Sequence, residues 1–177
     1  MKIKKIGVLV GSLRKESFSR KIAKTLESMV PASFEIEEID IGELSIYNQD
    51  LDDEGNQPTS WIAFRECVKK VDAFIFVTPE YNRSVPAVLK NALDVGSRSP
   101  GEKIFDGKPG AVVSVTPGAL GAFGANHHLR QSLVFLNVPT MQQPEAYIRD
   151  VATLFDDKGV LINDRSEEHT SELQSQP

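Results

Sequence analysis

Strand-like segments alternate with helix-like segments along this chain, and the alternation constrains the possible folds more than any other feature of the sequence. Runs rich in β-branched residues occupy residues 2–10 (KIKKIGVLV), 34–41 (FEIEEIDI), 72–78 (DAFIFVT) and 111–116 (AVVSVT), and residues 139–147 form a fifth candidate strand. Strands that alternate with helices are joined by right-handed crossovers and form a parallel sheet between helical layers. The sequence therefore predicts an α/β three-layer sandwich around a five-stranded parallel sheet.

Four helices are predicted between these strands. Their apolar residues recur at helical spacing within residues 17–30, 61–71, 85–93 and 128–136. Residues 45–60 are polar and rich in Asp, Asn, Gly and Pro, so this stretch predicts a long loop.

Size, charge and cysteine content limit the class of protein. The chain has 177 residues, which suits one domain of roughly 100–200 residues, and 40% of them are hydrophobic. Cys67 is the single cysteine, so an internal disulfide is excluded. A net charge of −5 argues against binding of nucleic acid, which needs a basic face, and no zinc-ligand spacing indicates a metal. No apolar run approaches the ~18 residues of a membrane span and no signal peptide is evident, so we expect a cytoplasmic protein without membrane contact.

The end of the chain differs in composition from the rest. Residues 165–177 (RSEEHTSELQSQP) contain one apolar residue, Leu173, so they predict a disordered tail. The segment RSEEHTSELQS also resembles the translation of a sequencing adapter, which would make the tail non-native. We therefore assign the domain to residues 1–164 and base no functional argument on residues 165–177.

Polar, glycine-rich and proline-rich segments follow the predicted strands. Residues 11–19, 79–84 and 117–124 each come directly after a strand-like run. Ligands of open parallel sheets bind outside the carboxyl ends of the strands. These segments therefore predict the binding edge before any family is considered.

The first of these segments, GSLRKESFS, has the composition of a phosphate loop. It offers the hydroxyls of Ser12, Ser17 and Ser19, the guanidinium of Arg14 and backbone N–H groups at a helix N-terminus. It lacks both G-x-x-x-x-G-K-[ST] and G-x-G-x-x-G, which favours a monophosphate ligand over ATP or a dinucleotide. A serine-rich helix cap beside a surface arginine is the alternative interpretation.

The other two segments suit a flat ligand. Pro79 fixes a turn after which backbone amides and the Tyr81 ring could face a heteroaromatic group, although an ordinary turn with Ser84 as a helix N-cap is equally consistent. Residues 116–124 (TPGALGAFG) hold three glycines, which let backbone approach a ligand face or form a flexible hinge.

Together, GSLRKESFS, TPEYNRSVPAVLKNALD and the glycine-rich loop before HLRQ resemble the NADPH-dependent FMN reductase family. This flavodoxin-like group includes quinone- and chromate-reducing flavoenzymes and FMN azoreductases. The resemblance spans residues 4–150 and implies a parallel sheet of order 2-1-3-4-5 with FMN at the switch point. It also implies a homodimer or homotetramer in which a partner's loop closes the flavin pocket.

The resemblance assigns site residues by position. The implied FMN contacts are Ser12, Arg14, Ser17, Phe18 and Ser19 in the first loop, Pro79, Glu80, Tyr81 and Asn82 in the second, and Thr116, Gly118 and Gly121 in the third. The implied partner-loop residues are Tyr47, Asn48 and Asp50.

Two departures from the family pattern affect packing. Val95 stands where relatives usually have Trp, so we expect looser packing beside the pocket. Relatives also continue into a C-terminal helix that covers one sheet face, whereas residues 151–164 reach only a hairpin-like segment. We expect an exposed apolar strip where that helix is missing.

The activity implied by the resemblance is that of an FMN-dependent NAD(P)H oxidoreductase. A hydride passes from NAD(P)H to FMN, and electrons then pass to quinones, azo or nitro compounds, free flavin or metal oxyanions, with no catalytic side chain required. His127 and His128 point about 100° apart on a helix, so a cap or interface role is expected rather than catalysis. The alternative is a flavodoxin-like electron carrier or a flavin-binding regulatory protein without NAD(P)H turnover.

Overall fold

The structure is a computed structural model that describes residues 3–98, 101–157 and 159–162. Among these residues the strands are β1 (Lys4–Val10), β2 (Phe34–Glu38), β3 (Ala73–Thr78), β4 (Gly110–Val115) and β5 (Ala146–Ile148). All neighbouring strands pair in parallel in the order β2-β1-β3-β4-β5, which confirms the predicted flavodoxin-like topology.

The helices depart from the prediction in two places. In the described part of the chain they are α1 (Phe18–Met29), α2 (Gln49–Asp53), α3 (Thr59–Lys70), α4 (Ala87–Ser97) and α5 (Phe123–Phe135), followed by a 3₁₀ turn (Val151–Leu154). The short α2 lies inside the stretch predicted as loop, where the Asn48 side chain accepts the N–H of Asp50 and caps the helix. Helix α5 begins five residues before the predicted start because the second loop caps its glycine-containing first turn, as described below.

Strand β5 is shorter than the predicted residues 139–147. Only Ala146, Tyr147 and Ile148 pair with β4, while Thr140 makes a single bridge to Gly110. Pro144 cannot donate to a ladder, and the chain turns between these two points of contact.

More helices pack on one face of the sheet than on the other. On one face α3, α4 and α5 bury Trp61, Phe64, Leu89, Leu93, Leu129 and Leu133 against Leu9, Phe74, Phe76 and Val112. On the other face α1 supplies Ile22 and Ala23, which pack with Val8, Val10, Val77, Val113 and Val115. Strands buried on both faces read as continuous apolar runs, which is why β1, β3 and β4 were predicted correctly.

The segment after β5 completes the second face as far as the structure describes it. Val151 is fully buried, Leu154 and Phe155 pack on the same cluster, and Phe155 pairs with Leu161 in an antiparallel bridge. The hairpin-like reading of this segment is therefore correct, and Val113 and Val115 beneath it are buried rather than exposed. The predicted tail, residues 165–177, lies outside the described residues.

Val95, beside which the sequence predicts looser packing, lies on α4. Its side chain is fully buried in the larger core, and its carbonyl accepts a hydrogen bond from Arg65 Nε at 2.9 Å. None of the helices described is long and apolar enough to cross a bilayer.

Candidate functional site

The loops that follow β1, β3 and β4 meet at the carboxyl edge of the sheet. The N–H of Gly11 donates to Val77 O at 2.8 Å, which joins the first loop to β3. A Cβ atom on Gly11 would lie 3.2 Å from Leu89 Cδ2 and 3.3 Å from Pro79 Cδ, so the backbone approaches α4 and the second loop closely. The first two predicted binding segments are therefore adjacent, as expected for this edge.

The first loop, residues 11–17, and the first turn of α1 carry three serines at this edge of the sheet. Ser12, Ser17 and Ser19 are only 4%, 3% and 3% exposed. Ser17 Oγ caps α1 by accepting the N–H of Arg20 at 3.2 Å, but neither the Ser12 nor the Ser19 hydroxyl bonds another described residue. A serine-rich cap explains Ser17 alone.

The same end of α1 carries further free donors. Among the described residues, nothing accepts the backbone N–H groups of Phe18 and Ser19, which lie in the first helical turn, and Arg14 is exposed beside them. Oriented N–H groups, two hydroxyls and a guanidinium are the donor set that suits a phosphate dianion. The arrangement therefore fits the phosphate of FMN.

The second loop contains a tight two-residue hairpin. Tyr81 and Ser84 exchange backbone hydrogen bonds of 3.0 Å in each direction, and Asn82 and Arg83 between them have φ values of 51° and 64°. These values correspond to a type I′ turn, which is uncommon for arginine and costs of order 1–3 kcal/mol. Such strain is found mainly where function requires a fixed backbone.

Ser84 does not cap α4, so that alternative is wrong. Helix α4 follows Pro86 without a side-chain cap, and Ser84 Oγ instead lies 3.0 Å from His128 Nδ1. The hairpin is thereby tied to α5 rather than to the helix that follows it.

Glu80 forms a second tie between the hairpin and α5. Its carboxylate accepts the N–H of Ala125 at 3.0 Å, in the first turn of α5. Gly124 is required at this contact, because a Cβ atom there would lie 2.6 Å from Arg83 O and 3.0 Å from Glu80 Oε2. One carboxylate oxygen of Glu80 is therefore engaged with α5.

A series of hydrogen bonds between side chains supports the third loop. Ser114 Oγ donates to Gly121 O at 2.6 Å, Asn126 Nδ2 donates to Ser114 Oγ at 3.1 Å, and Arg130 Nε donates to Asn126 Oδ1 at 2.9 Å. Gly121 has a φ of 61°, and a Cβ atom there would lie 2.6 Å from Tyr147 Cβ. These contacts favour a fixed loop over a flexible hinge.

Thr116 and Gly118 lie at the exposed start of the same loop. Gly118 N–H donates to Thr116 Oγ1 at 3.2 Å, which folds the loop back on itself. The supporting Ser114 and Asn126 were missed in the sequence, although a serine inside the apolar run AVVSVT was the available signal.

A cleft of about 410 Å³ joins the first loop to the second, within the ~300–1,000 Å³ range of small-molecule sites. Gly11, Leu13, Arg14, Tyr81 and Pro86 are among its lining residues. A larger groove of about 530 Å³ lies between α4 and α5, and none of its lining residues belongs to the loops that follow β1, β3 and β4. The smaller cleft is therefore the better candidate for the flavin.

The adjacent histidines have separate partners. His127 Nε2 lies 3.1 Å from Tyr147 Oη, whereas His128 Nδ1 faces Ser84. They do not enter one site together, as their helical spacing predicts. Burial is the main cause that raises the pKa of Tyr147, followed by a hydrogen bond with Glu145. Within the described residues, no group of His, Cys, Asp and Glu side chains could hold a metal ion.

The segment predicted to serve a partner subunit packs partly on its own chain and is partly exposed. The Tyr47 ring stacks on Trp61 of its own chain, with centroids 5.3 Å apart, while Asn48 and Asp50 are exposed. Asp52, just beyond them, forms a buried ion pair with Arg65 that the sequence did not reveal. A hydrogen bond from Arg65 is the main cause that lowers the pKa of Asp52, and burial chiefly raises that of Tyr47.

Comparison with known proteins identifies close relatives. The model of the NADPH-dependent FMN reductase family matches residues 4–153. The chain is 56% identical to a quinone reductase of Pseudomonas putida over 161 residues, which covers 91% of this chain and 86% of that protein. It is 42% identical to a 2-hydroxy-1,4-benzoquinone reductase of Burkholderia sp, covering 90% of this chain and 86% of the relative.

A solved structure of similar sequence has the same fold. The flavoenzyme NAD(P)H:(acceptor) oxidoreductase of Paracoccus denitrificans superposes with a TM-score of 0.86 at 35% identity, covering 94% of this chain and 91% of that one. This likeness in sequence and structure supports the fold described above.

Proposed function

Because the chain belongs to the NADPH-dependent FMN reductase family, we propose that it passes electrons from NAD(P)H through FMN to quinones. It is an FMN-dependent NAD(P)H oxidoreductase, as its relatives are. The observation that best supports the location of the cofactor is that the accessible hydroxyls of Ser12 and Ser19 have no partner among the described residues and lie at the same end of α1 as two free N–H groups. Ser17 alone caps α1, so capping does not explain the hydroxyls of Ser12 and Ser19.

Each loop has a distinct task in this proposal. Arg14 and the N–H groups of Phe18 and Ser19 bind the phosphate, and Ser17 keeps α1 aligned by capping it. The backbone of Pro79, Glu80, Tyr81 and Asn82 pairs with the polar edge of the ring, and Thr116, Gly118 and Gly121 lie along its other side. FMN, when bound, supplies the hydride-accepting and electron-donating chemistry.

The protein contributes a rigid binding site that limits water access, and not a side chain that transfers a proton. The hairpin is tied to α5 through Glu80 and Ser84, and the third loop is tied to β4 through Ser114. A fixed surround keeps the donor and the acceptor in reacting positions and limits water access. Neither histidine is needed for this role.

Quinones are the favoured acceptors because several relatives carry that name. Azo and nitro compounds, free flavin and metal oxyanions remain within the proposal, since an open cleft at a sheet edge accepts varied flat or small oxidants. The need for NAD(P)H supports a cytoplasmic location. A pure electron carrier is disfavoured, since the likeness to a flavodoxin at 18% identity concerns the fold alone.

We further propose that the working unit is at least a homodimer. Val134 and Phe135 at the end of α5 are 74% and 86% exposed, and Phe135 lines the groove between α4 and α5. Apolar side chains this exposed are typical of interfaces. Asn48 and Asp50 project from the same layer of helices and are available to a neighbour's flavin.

Anaerobic mixing tests the activity. The purified yellow protein should lose its oxidised-flavin absorbance on addition of NADPH or NADH and regain it on addition of a benzoquinone. A flavin that stays oxidised with both nucleotides would instead support the carrier or the regulatory protein. Light scattering on the same sample tests the assembly, because a monomer with full turnover would exclude the partner loop.

A further inference from the structure

Residues 44–53 form a segment that cannot hold its shape by itself. Its only helix, α2, has five residues and no buried one, and a helix this short is not stable alone in water. We call residues 44–53 the anchored segment, because polar side chains from α3 and α4 hold both of its ends.

The first end is held by Asn91 and Trp61. Asn91 Oδ1 accepts the N–H of Tyr47 at 2.9 Å, and its Nδ2 donates to Leu44 O and Ser45 O at 3.2 and 3.0 Å. Trp61 Nε1 also donates to Ser45 O, at 3.1 Å. The backbone of residues 44–47 is therefore positioned by the two helices.

The second end is held by the ion pair of Asp52 and Arg65. Arg65 Nη1 and Nη2 donate to the two Asp52 carboxylate oxygens at 2.7 and 2.8 Å, and both side chains are at least 95% buried. Arg65 Nε donates to Val95 O, so the guanidinium is itself fixed to α4. The Tyr47 ring stacks on Trp61, so α3 contacts both ends of the segment.

Between the two ends, Asn48 and Asp50 are exposed. We propose that Asp52 and Arg65 are positioning residues, which hold Asn48 and Asp50 where they close the flavin pocket of a neighbouring subunit. This inference rests on the proposed partner role of Asn48 and Asp50. It adds the residues that give this role its geometry.

Stability alone does not account for a buried ion pair at this position. Replacing such a pair by apolar residues of similar volume is often neutral or stabilising, because both charges must be desolvated. What apolar residues cannot supply is the directional, two-point contact of a guanidinium with a carboxylate. The pair therefore suits orientation of the segment better than simple cohesion.

The double variant Asp52→Leu/Arg65→Met separates the two roles in the full FMN-loaded protein. We expect its melting temperature to equal or exceed that of the wild type, while FMN dissociates at least about fivefold faster, the effect of losing contacts worth one ordinary hydrogen bond. Val68→Ala, on the same helix and fully buried, is the matched control. It should lower the melting temperature and leave FMN dissociation within about twofold, since it touches no loop of the site.

A second pair of variants identifies the residues through which the ion pair acts. Asn48→Ala/Asp50→Ala should itself speed FMN dissociation, and adding Asp52→Leu/Arg65→Met to it should change the rate little further, because coupled residues are not additive. Arg65→Lys, which keeps the charge but loses the two-point contact, should give an intermediate rate and decides the question if the apolar variant does not fold.

The possible failures are distinguishable. If Asn48→Ala/Asp50→Ala speeds FMN dissociation but the ion-pair variants do not, or if the effects simply add, the positioning role is wrong and the partner loop stands. If Asn48→Ala/Asp50→Ala leaves FMN dissociation unchanged, the partner loop is wrong and the positioning role falls with it. Reduction of the bound flavin by NADPH, measured on the same samples, tests the oxidoreductase activity independently of both.

Discussion

The first loop and the anchored segment are both polar, but they treat their polar groups in opposite ways. In the anchored segment, buried donors and acceptors pair within the chain through Arg65, Asn91 and Trp61. In the first loop and the first turn of α1, the hydroxyls of Ser12 and Ser19 are accessible and meet no partner among the described residues. Buried polar groups that pair within the chain are typical of a brace. Accessible donors without protein partners, beside free N–H groups at a helix N-terminus, are typical of an anion site.

This contrast predicts that damage to the two regions has different consequences. Variants in the anchored segment should change stability or, through Asn48 and Asp50, the rate of FMN dissociation. Variants in the first loop should change FMN affinity and leave the fold intact.

The largest effect is expected when Asp52 is removed alone. Asp52→Ala leaves the Arg65 guanidinium buried without its counter-ion, and breaking a buried pair in this way costs about 3–5 kcal/mol. Denaturant unfolding measures the loss. The exposed pair of Lys90 and Asp94 gives a matched control, because Asp94→Ala should cost at most about 1 kcal/mol. Equal losses in the two variants would mean that burial of the Asp52 pair has no energetic weight.

Arg14→Ala should weaken FMN binding by roughly ten- to a hundredfold, the equivalent of a charge-assisted hydrogen bond of about 1.5–3 kcal/mol. Because Arg14 is exposed, we expect little change in the stability of the flavin-free protein. Titration with FMN gives the dissociation constant. Lys15→Ala, at the neighbouring exposed position, is the control, and an equal loss in both variants would indicate general charge rather than a specific contact.

Stability should fall at acidic pH in a way that depends on Asp52. Its pKa in the folded protein lies below the ~3.9 of an unfolded aspartate, mainly because Arg65 donates to it. The stabilisation is therefore complete above the unfolded pKa and is lost as the pH falls through the folded value. Urea unfolding between pH 7 and about pH 3 should show a smaller acid loss in Asp52→Leu/Arg65→Met than in the wild type. Parallel curves for the two proteins would contradict this assignment.

The two histidines should have the smallest effect. His127→Ala and His128→Ala should each leave the rate of flavin reduction within about tenfold, or ~1.4 kcal/mol of activation free energy, because their rings bond Tyr147 and Ser84. Stopped-flow mixing with NADPH measures the rate. A larger loss in either variant would indicate acid–base catalysis.

The sequence predicted the strands that are buried on both faces and the loops that follow them. Runs such as DAFIFVT carry their own signal, and the serines around the start of α1 stand out because a helix cap needs only one hydroxyl. Strand β5 was predicted too long because the chain meets β4 first at Thr140, then turns away through Gln142, Gln143 and Pro144, and pairs again only at Ala146–Ile148.

The bracing contacts could not be predicted in the same way. Arg65 lies 13 residues from Asp52, and Asn91 lies 44 residues from Tyr47, so no local pattern connects them. Glu80 appeared to be a ligand contact because it sits in the binding loop, yet its carboxylate caps α5. Such roles emerge only once the helices are packed.

The most direct test of the account compares FMN with riboflavin, which lacks the phosphate. If the first loop is the phosphate site, the wild type should bind FMN far more tightly than riboflavin, and Ser12→Ala/Ser19→Ala should weaken FMN while leaving riboflavin binding unchanged. Loss of two hydrogen bonds to a charged group, each about 1.5–3 kcal/mol, predicts that the ratio of the two dissociation constants falls at least about a hundredfold. A ratio that stays the same in this variant would contradict the central claim that these hydroxyls bind the phosphate of FMN.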